Sequence, residues 1–326
     1  EGEMVQIDSD LYRAHPEWIL HEGNRVPPLQ RHQLVLDLTH QGAFDHVLGQ
    51  VDHVLSSFKI AYIKWDHNRI LNDAGHLGQA AVHNQTLAIY RLFDELKRRH
   101  PGLEIESCAS GGARIDLGMV DHADRFWTSD NNDALERQII QRWTSLVIPP
   151  EMLGTHIGPT HGHQTGKTTE LSFRAINALF GHAGIEWDVT EASEEQREIL
   201  KKWATLYKSK RALLHSGRTV RVDYPDSHAF FYGVVAQDQS EALFAFMQHL
   251  MPSSNFTPRM KFPGLNPSLS YQVRILTEVG APRTLQIKDI QWGDGVVLTG
   301  EALASIGIAP PSLAPENGIL ISIVKG

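Results

Sequence analysis

The residues best suited to chemistry fall in three short stretches. The first is Ile60 to Arg69, where the run Ile-Ala-Tyr-Ile gives way to Lys64, Trp65, Asp66, Asn68 and Arg69. A buried parallel strand reads as continuous apolar residues, and in a (β/α)₈ barrel the reacting groups stand where such strands end. An aspartate at a strand end is often no more than a cap for the next helix. Five functional side chains within six positions exceed what a cap requires, so Asp66 is a candidate reacting carboxylate. The second stretch, Trp127-Thr128-Ser129-Asp130, closes a strand-like run in the same way. The third, Glu106 to Arg114, carries the small-residue turn Ala109-Ser110-Gly111-Gly112-Ala113 directly after Cys108. Glycine there lets backbone approach a ligand closely, which makes Gly111 a candidate binding position, although Gly-Gly alone would suit a plain turn. Two carboxylates projecting from different strands into one mouth, with tryptophan and arginine around them, are the arrangement glycoside hydrolysis uses. One is the nucleophile or base and the other the proton donor.

Competing chemistries find less support. His156, His161 and His163 have the short spacing of zinc-binding imidazoles, but a Gly/Pro loop fixes ligand geometry poorly. Asp130-Asn131-Asn132-Asp133 lacks the acidic residue that completes an EF-hand loop, and Gly111-Gly112 lacks the spacing of a nucleotide fingerprint. No metal or other cofactor is therefore expected. The formal charge of −8 argues against nucleic acid or an anionic membrane as the main partner, because phosphate binding needs clustered Lys and Arg. A neutral substrate fits. Cys108 is the single cysteine, so no intramolecular disulfide can form, and no apolar run approaches the roughly 20 residues of a membrane span. With no secretory leader visible, the expected location is cytoplasmic.

Positioning these groups requires alternating strands and helices. Gln33 to Leu38 is strand-like, and Phe44, Val47, Leu48, Val51 and Leu55 form a helical face within His40 to Ser56. The Asp66 strand follows. Ile89, Leu92, Phe93 and Leu96 recur at helical spacing and stop at Pro101-Gly102. Strand-like Leu103 to Cys108, Arg125 to Asp130, Leu153 to Ile157 and Gly184 to Asp188 then alternate with helical Leu135 to Val147 and Leu171 to Phe180. A capping box, Ser193 with Gln196, opens the helix bearing Ile199, Leu200, Trp203 and Leu206. The polar stretch Asp8 to Pro28, with Trp18, reads as a long loop at the barrel mouth. Such alternation predicts parallel βαβ units: the Asp66 strand, the four that follow it and the opening residues 1 to 7 would make about six of the eight strands of a (β/α)₈ barrel. Beyond Ser216 the texture turns to period two with Pro, Gly, Asn and Asp between short runs. These predict an antiparallel β-sandwich domain over 218–326, after a barrel domain over 1–217.

The three ordered motifs, Lys64-Trp65-Asp66-His67-Asn68-Arg69, Ser107-Cys108-Ala109-Ser110-Gly111-Gly112-Ala113-Arg114 and Trp127-Thr128-Ser129-Asp130, resemble the successive signatures of the α-galactosidases of glycoside hydrolase family 36. The resemblance runs from Glu1 through the C-terminal strands. It implies a retaining exo-α-galactosidase acting on terminal α-linked galactose of raffinose- or melibiose-type oligosaccharides, with Asp66 the nucleophile and Asp130 the general acid/base. It also implies that Arg31, Lys64, Asn68 and Cys108 contact the galactose, that Trp65 and Trp127 wall the site, and that the full-length enzyme is a homo-oligomer. The sequence departs from the family pattern at His67, where Met is common, and at Ala113, where a third glycine is usual. Family members carry a large β-sandwich domain and two more barrel strands ahead of the position of Glu1, the second bearing tandem aspartates that bind sugar hydroxyls. The chain is thus expected to be the C-terminal part of a longer enzyme. A raffinose-forming galactosyl transferase, which passes the same intermediate to a sugar, and a non-catalytic sugar-binding fragment are the alternative readings.

Overall fold

Alternating apolar runs and amphipathic faces build a βα succession, followed by an antiparallel β domain. The computed structural model describes residues 1–286 and 290–326, which fall into two units, residues 1–130 and 131–326.

In the first unit, β1 (Met4–Gln6) pairs antiparallel with β2 (Gln33–Val35). This corrects the expectation of a sixth parallel strand at the opening residues: their strand hydrogen bonds go to Gln33–Val35, and Leu36 N–H donates to Glu3 O at 2.9 Å. The segment expected as one long loop holds a short helix, Asp10–Ala14, capped by Ser9, and a single turn, Pro16–Trp18, in which Trp18 stacks on His15 at 3.8 Å. Helix α1 (Gln41–Ser57) buries Phe44, Val47, Leu48 and Leu55, four of the five residues its periodicity singles out. Helix α2 (Val82–Arg99) buries Ile89, Leu92, Phe93 and Leu96, and the chain turns back at Gly102, with φ +91°. Between and after these helices run β3 (Tyr62–Asp66), β4 (Glu104–Cys108) and β5 (Arg125–Trp127), parallel and adjacent in that order.

The second unit opens with α3 (Ala134–Thr144), then the parallel pair β6 (Leu153–Ile157) and β7 (His182–Ile185), with α4 (Leu171–Leu179) between them. Helix α5 (Glu194–Ser216) starts with the expected reciprocal capping box of Ser193 and Gln196. Among the described residues the C-terminal strands are β8 (Arg218–Val222), β9 (Ala229–Val235), β10 (Glu241–Gln248), β11 (Ser270–Leu276), β12 (Val296–Thr299) and β13 (Asn317–Lys325). They form one antiparallel sheet in the order β8-β9-β10-β13-β11-β12, so the second layer expected of a sandwich is supplied by other elements. Phe231, Phe244, Phe246, Ile321 and Ile323 face Met260, Phe262, Leu303 and Leu313 on one side. Leu243, Ala245, Met247 and Leu320 face Phe173, Ile176, Trp203 and Leu206 of α4 and α5 on the other. Burial on both faces is why the central strands β10 and β13 read as nearly unbroken apolar runs. Among the described residues, no helix is long and apolar enough to cross a membrane.

Candidate active site

Period two sorts β3 into two faces: Tyr62, Lys64 and Asp66 on one, Ile63 and Trp65 on the other. The parallel register pairs Tyr62 with Glu104, Lys64 with Glu106 and Asp66 with Cys108, and on the next strand Glu106 with Arg125. The result is a ladder of polar rungs rising toward the strand ends. At the lowest, the Arg125 guanidinium lies 4.7 Å over the Tyr62 ring and ion-pairs with Glu104. Burial, together with the charge and hydrogen bond of Glu106, pushes the Tyr62 phenol well above its ordinary value. At the middle rung, Lys64 Nζ sits 3.8 Å from Glu106 and 4.3 Å over the Trp127 ring. That contact combines Coulomb attraction with a cation–π interaction.

Asp66 stands at the top. Burial acts to raise its pKa, but hydrogen bonds from the Cys108 thiol and the Asn68 amide, with the positive charge of Lys64, outweigh it and hold the carboxyl below its ordinary value. Asn68 Nδ2 donates to Asp66 Oδ2 at 2.5 Å, and the Ser110 hydroxyl donates to Asn68 Oδ1 at 3.3 Å. Desolvation, followed by the hydrogen bond to Asp66, pushes the Cys108 thiol up to about 12, so it remains a protonated donor.

Asp130 lies three residues beyond the end of β5, where the sequence pattern had it closing the strand itself. It is exposed and accepts from Trp127 Nε1 at 3.0 Å. Its backbone is braced by the glycine turn. Gly111, at φ +83°, packs so closely that an added Cβ would lie 2.9 Å from Ser129 Cα and 3.0 Å from Asp130 N, and one at Gly112 would lie 2.5 Å from Thr128 O. The close approach at Gly111 is to the backbone of Ser129 and Asp130.

Of the other expected contacts, Arg31 and Asn68 converge on one carboxylate: Glu1 Oε1 takes Arg31 at 3.1 Å and Asn68 at 2.5 Å, while Oε2 takes Gln33 at 2.9 Å. Arg31 and His32 hold φ +53° and +61° in a tight turn closed by Gln33 N–H to Gln30 O at 3.0 Å. Such backbone is strained for side chains other than glycine and gathers at functional sites. Trp65 is a correction. Strand alternation turns it away from Asp66, and it is buried with its ring 5.7 Å from Phe93 and its Nε1 donating to Glu3 at 2.9 Å. Of these two tryptophans, Trp127 keeps its indole beside Lys64 and Asp130. His156 pairs with Glu186 at 3.1 Å and His161 meets Thr168 at 3.4 Å; among the described residues no cluster of three or more His, Cys, Asp or Glu has the arrangement of a metal site.

Glu1 and Glu3 escaped the sequence reading, and Glu106 was read only as the opening residue of its motif. The available signal was an acidic residue set inside an apolar run. Glu3 precedes Met4-Val5, Glu106 interrupts Leu103 to Cys108, and both are almost fully buried.

Paired aspartates at the ends of parallel strands are the arrangement that glycoside hydrolysis on a barrel scaffold uses. The chain belongs to the Melibiase family, whose model matches residues 1–217, and residues 230–322 match the glycosyl hydrolase family 36 C-terminal domain. It is 43% identical over 331 aligned residues to an alpha-galactosidase of Escherichia coli, covering 100% of this chain and 47% of that protein. Alpha-galactosidase AgaA of Geobacillus stearothermophilus is 35% identical, over 86% of this chain and 39% of that one. The crystal structure of AgaB from the same organism superposes with a TM-score of 0.90 at 32% identity, covering 100% of this chain and 44% of that chain. A variant of AgaA crystallised with raffinose superposes at 0.89 with 31% identity, over 100% of this chain and 44% of that one. The chain thus spans less than half the length of these relatives.

Proposed function

We propose that this chain supplies the reacting carboxylates of a retaining exo-α-galactosidase that removes terminal α-linked galactose from raffinose-type oligosaccharides, and that it works in the cytoplasm as part of a homo-oligomer. In this reading residues 1–217 form the catalytic barrel portion and 218–326 the C-terminal domain. The observation that carries it is the state of Asp66: a carboxylate at a strand mouth, kept ionised by Cys108, Asn68 and Lys64 despite partial burial. An ionised, oriented carboxylate is what nucleophilic attack on an anomeric carbon needs. Asp66 attacks from the face opposite the leaving group while Asp130 protonates the glycosidic oxygen. Asp130 then removes a proton from water, which releases the galactose. Each displacement inverts the anomeric centre, so the pair retains its configuration. In this reading Lys64, Asn68 and Arg31 meet sugar hydroxyls and Trp127 provides the wall of the site.

Removal of each aspartate in the full-length protein tests the assignment. Asp130→Ala should keep appreciable activity on an aryl galactoside with an activated leaving group and little on raffinose, because only raffinose needs the proton. With azide, Asp130→Ala should yield the α-azide and Asp66→Gly the β-azide. Reversed stereochemistry would exchange the two roles, and full activity in both variants would refute the assignment altogether.

A further inference from the structure

Glu3 is completely buried, yet its two oxygens gather three side chains from two other parts of the first unit. Oε1 accepts from Trp65 Nε1 at 2.9 Å and from Arg114 Nη1 at 2.8 Å, while Oε2 takes Arg114 Nη2 at 3.1 Å and lies 3.3 Å from His67 Nδ1. Trp65 and His67 are the residues on either side of Asp66, and alternation along the chain sends both of their contacts to the face opposite the reacting carboxylate. Arg114 closes the turn that holds Gly111 and Gly112, the glycines packed against the backbone of Thr128 to Asp130. One carboxylate thereby grips the Asp66 strand through two residues and the brace of Asp130 through a bidentate guanidinium, a geometry with little angular freedom.

We propose that Glu3 is a positioning residue that fixes the placement of Asp66 relative to Asp130. The inference rests on the reading of those two aspartates given above. Both displacements of a retaining glycosidase depend on the separation of its carboxyls, so slack in this clamp slows both; Lys64, Asp66 and Asn68 shift as one segment, so the sugar keeps its contacts with that segment while the spacing to Asp130 changes.

The test is Glu3→Gln in the full-length protein, which keeps the side-chain shape and removes the charge. The expected result is a fall in kcat of at least about tenfold on both an aryl galactoside and raffinose, with KM and inhibition by free galactose within about threefold of the parent. A merely structural residue would lower the melting temperature and the fraction of active protein without this split. Arg114→Lys, which gives up the fork but keeps the charge, should move kcat the same way by less, and it decides the matter on the same criteria if Glu3→Gln does not fold. A folded variant with kcat within about twofold of the parent, or one altered in KM alone, overturns the inference. Asp66→Gly, assayed in parallel, separates the two failures: if it abolishes turnover while Glu3→Gln does not, only the clamp is wrong, whereas if it retains turnover the assignment of Asp66 itself falls.

Discussion

Gly111→Ala is the sharpest probe of how the chain holds Asp130. Two costs can be worked from the geometry. At φ +83° the backbone lies in the left-handed region, which costs alanine about 1 kcal/mol relative to glycine. The new Cβ would stand 2.9 Å from Ser129 Cα, so Ser129 and Asp130 must retreat by about 0.5 Å to reach the 3.4 Å at which ordinary contact begins. Both obstructing atoms belong to backbone, which cannot swing aside as a flexible side chain would. Overpacking of this kind adds about 1–2 kcal/mol, for a total near 2–3 kcal/mol of destabilisation. The functional effect should be larger than the stability loss suggests, because about 0.5 Å is the tolerance within which a catalytic group must be held. The expected outcome is a drop of about 10- to 100-fold in kcat on raffinose, with a smaller drop on an activated aryl galactoside, measured at a temperature where the variant is still folded by circular dichroism. The difference between substrates is the diagnostic part, since it reports displacement of the proton donor rather than general loosening. Parental kcat on raffinose in Gly111→Ala, or equal losses on both substrates, would refute the argument that this glycine places Asp130.

Cys108→Ala removes a hydrogen bond that favours the ionised form of Asp66, so the Asp66 pKa rises and the acid limb of the kcat/KM profile should move to higher pH; an unmoved limb with a lowered melting temperature would make Cys108 a packing residue only. Ser193→Ala breaks the capping box at the start of α5 and should cost about 1 kcal/mol in a denaturant titration while leaving turnover unchanged.

The sequence by itself determined the kinds and order of the elements. Strand ends at Asp66 and Cys108 were legible because an apolar run stops abruptly at polar residues, and α1, α2 and α5 because their buried positions recur at helical spacing or open on a capping box. The three motifs were legible as well, and they carried the family. Pairing was another matter. Residues 4–6 look like any other short strand, and nothing local tells whether their hydrogen bonds go to a parallel neighbour or, as they do, to Gln33–Val35. The single C-terminal sheet was hidden for the same reason: Ala242 to Met247 is apolar on both faces whether a second sheet or a pair of helices covers it. Only the tertiary structure decided the direction of Trp65, the bracing of Asp130 by Gly111 and the hub at Glu3. Each depends on contacts between residues 18 to 111 positions apart along the chain. Short-range periodicity registers which residues are buried; which partner each one meets is set by how strands from distant parts of the chain come into register.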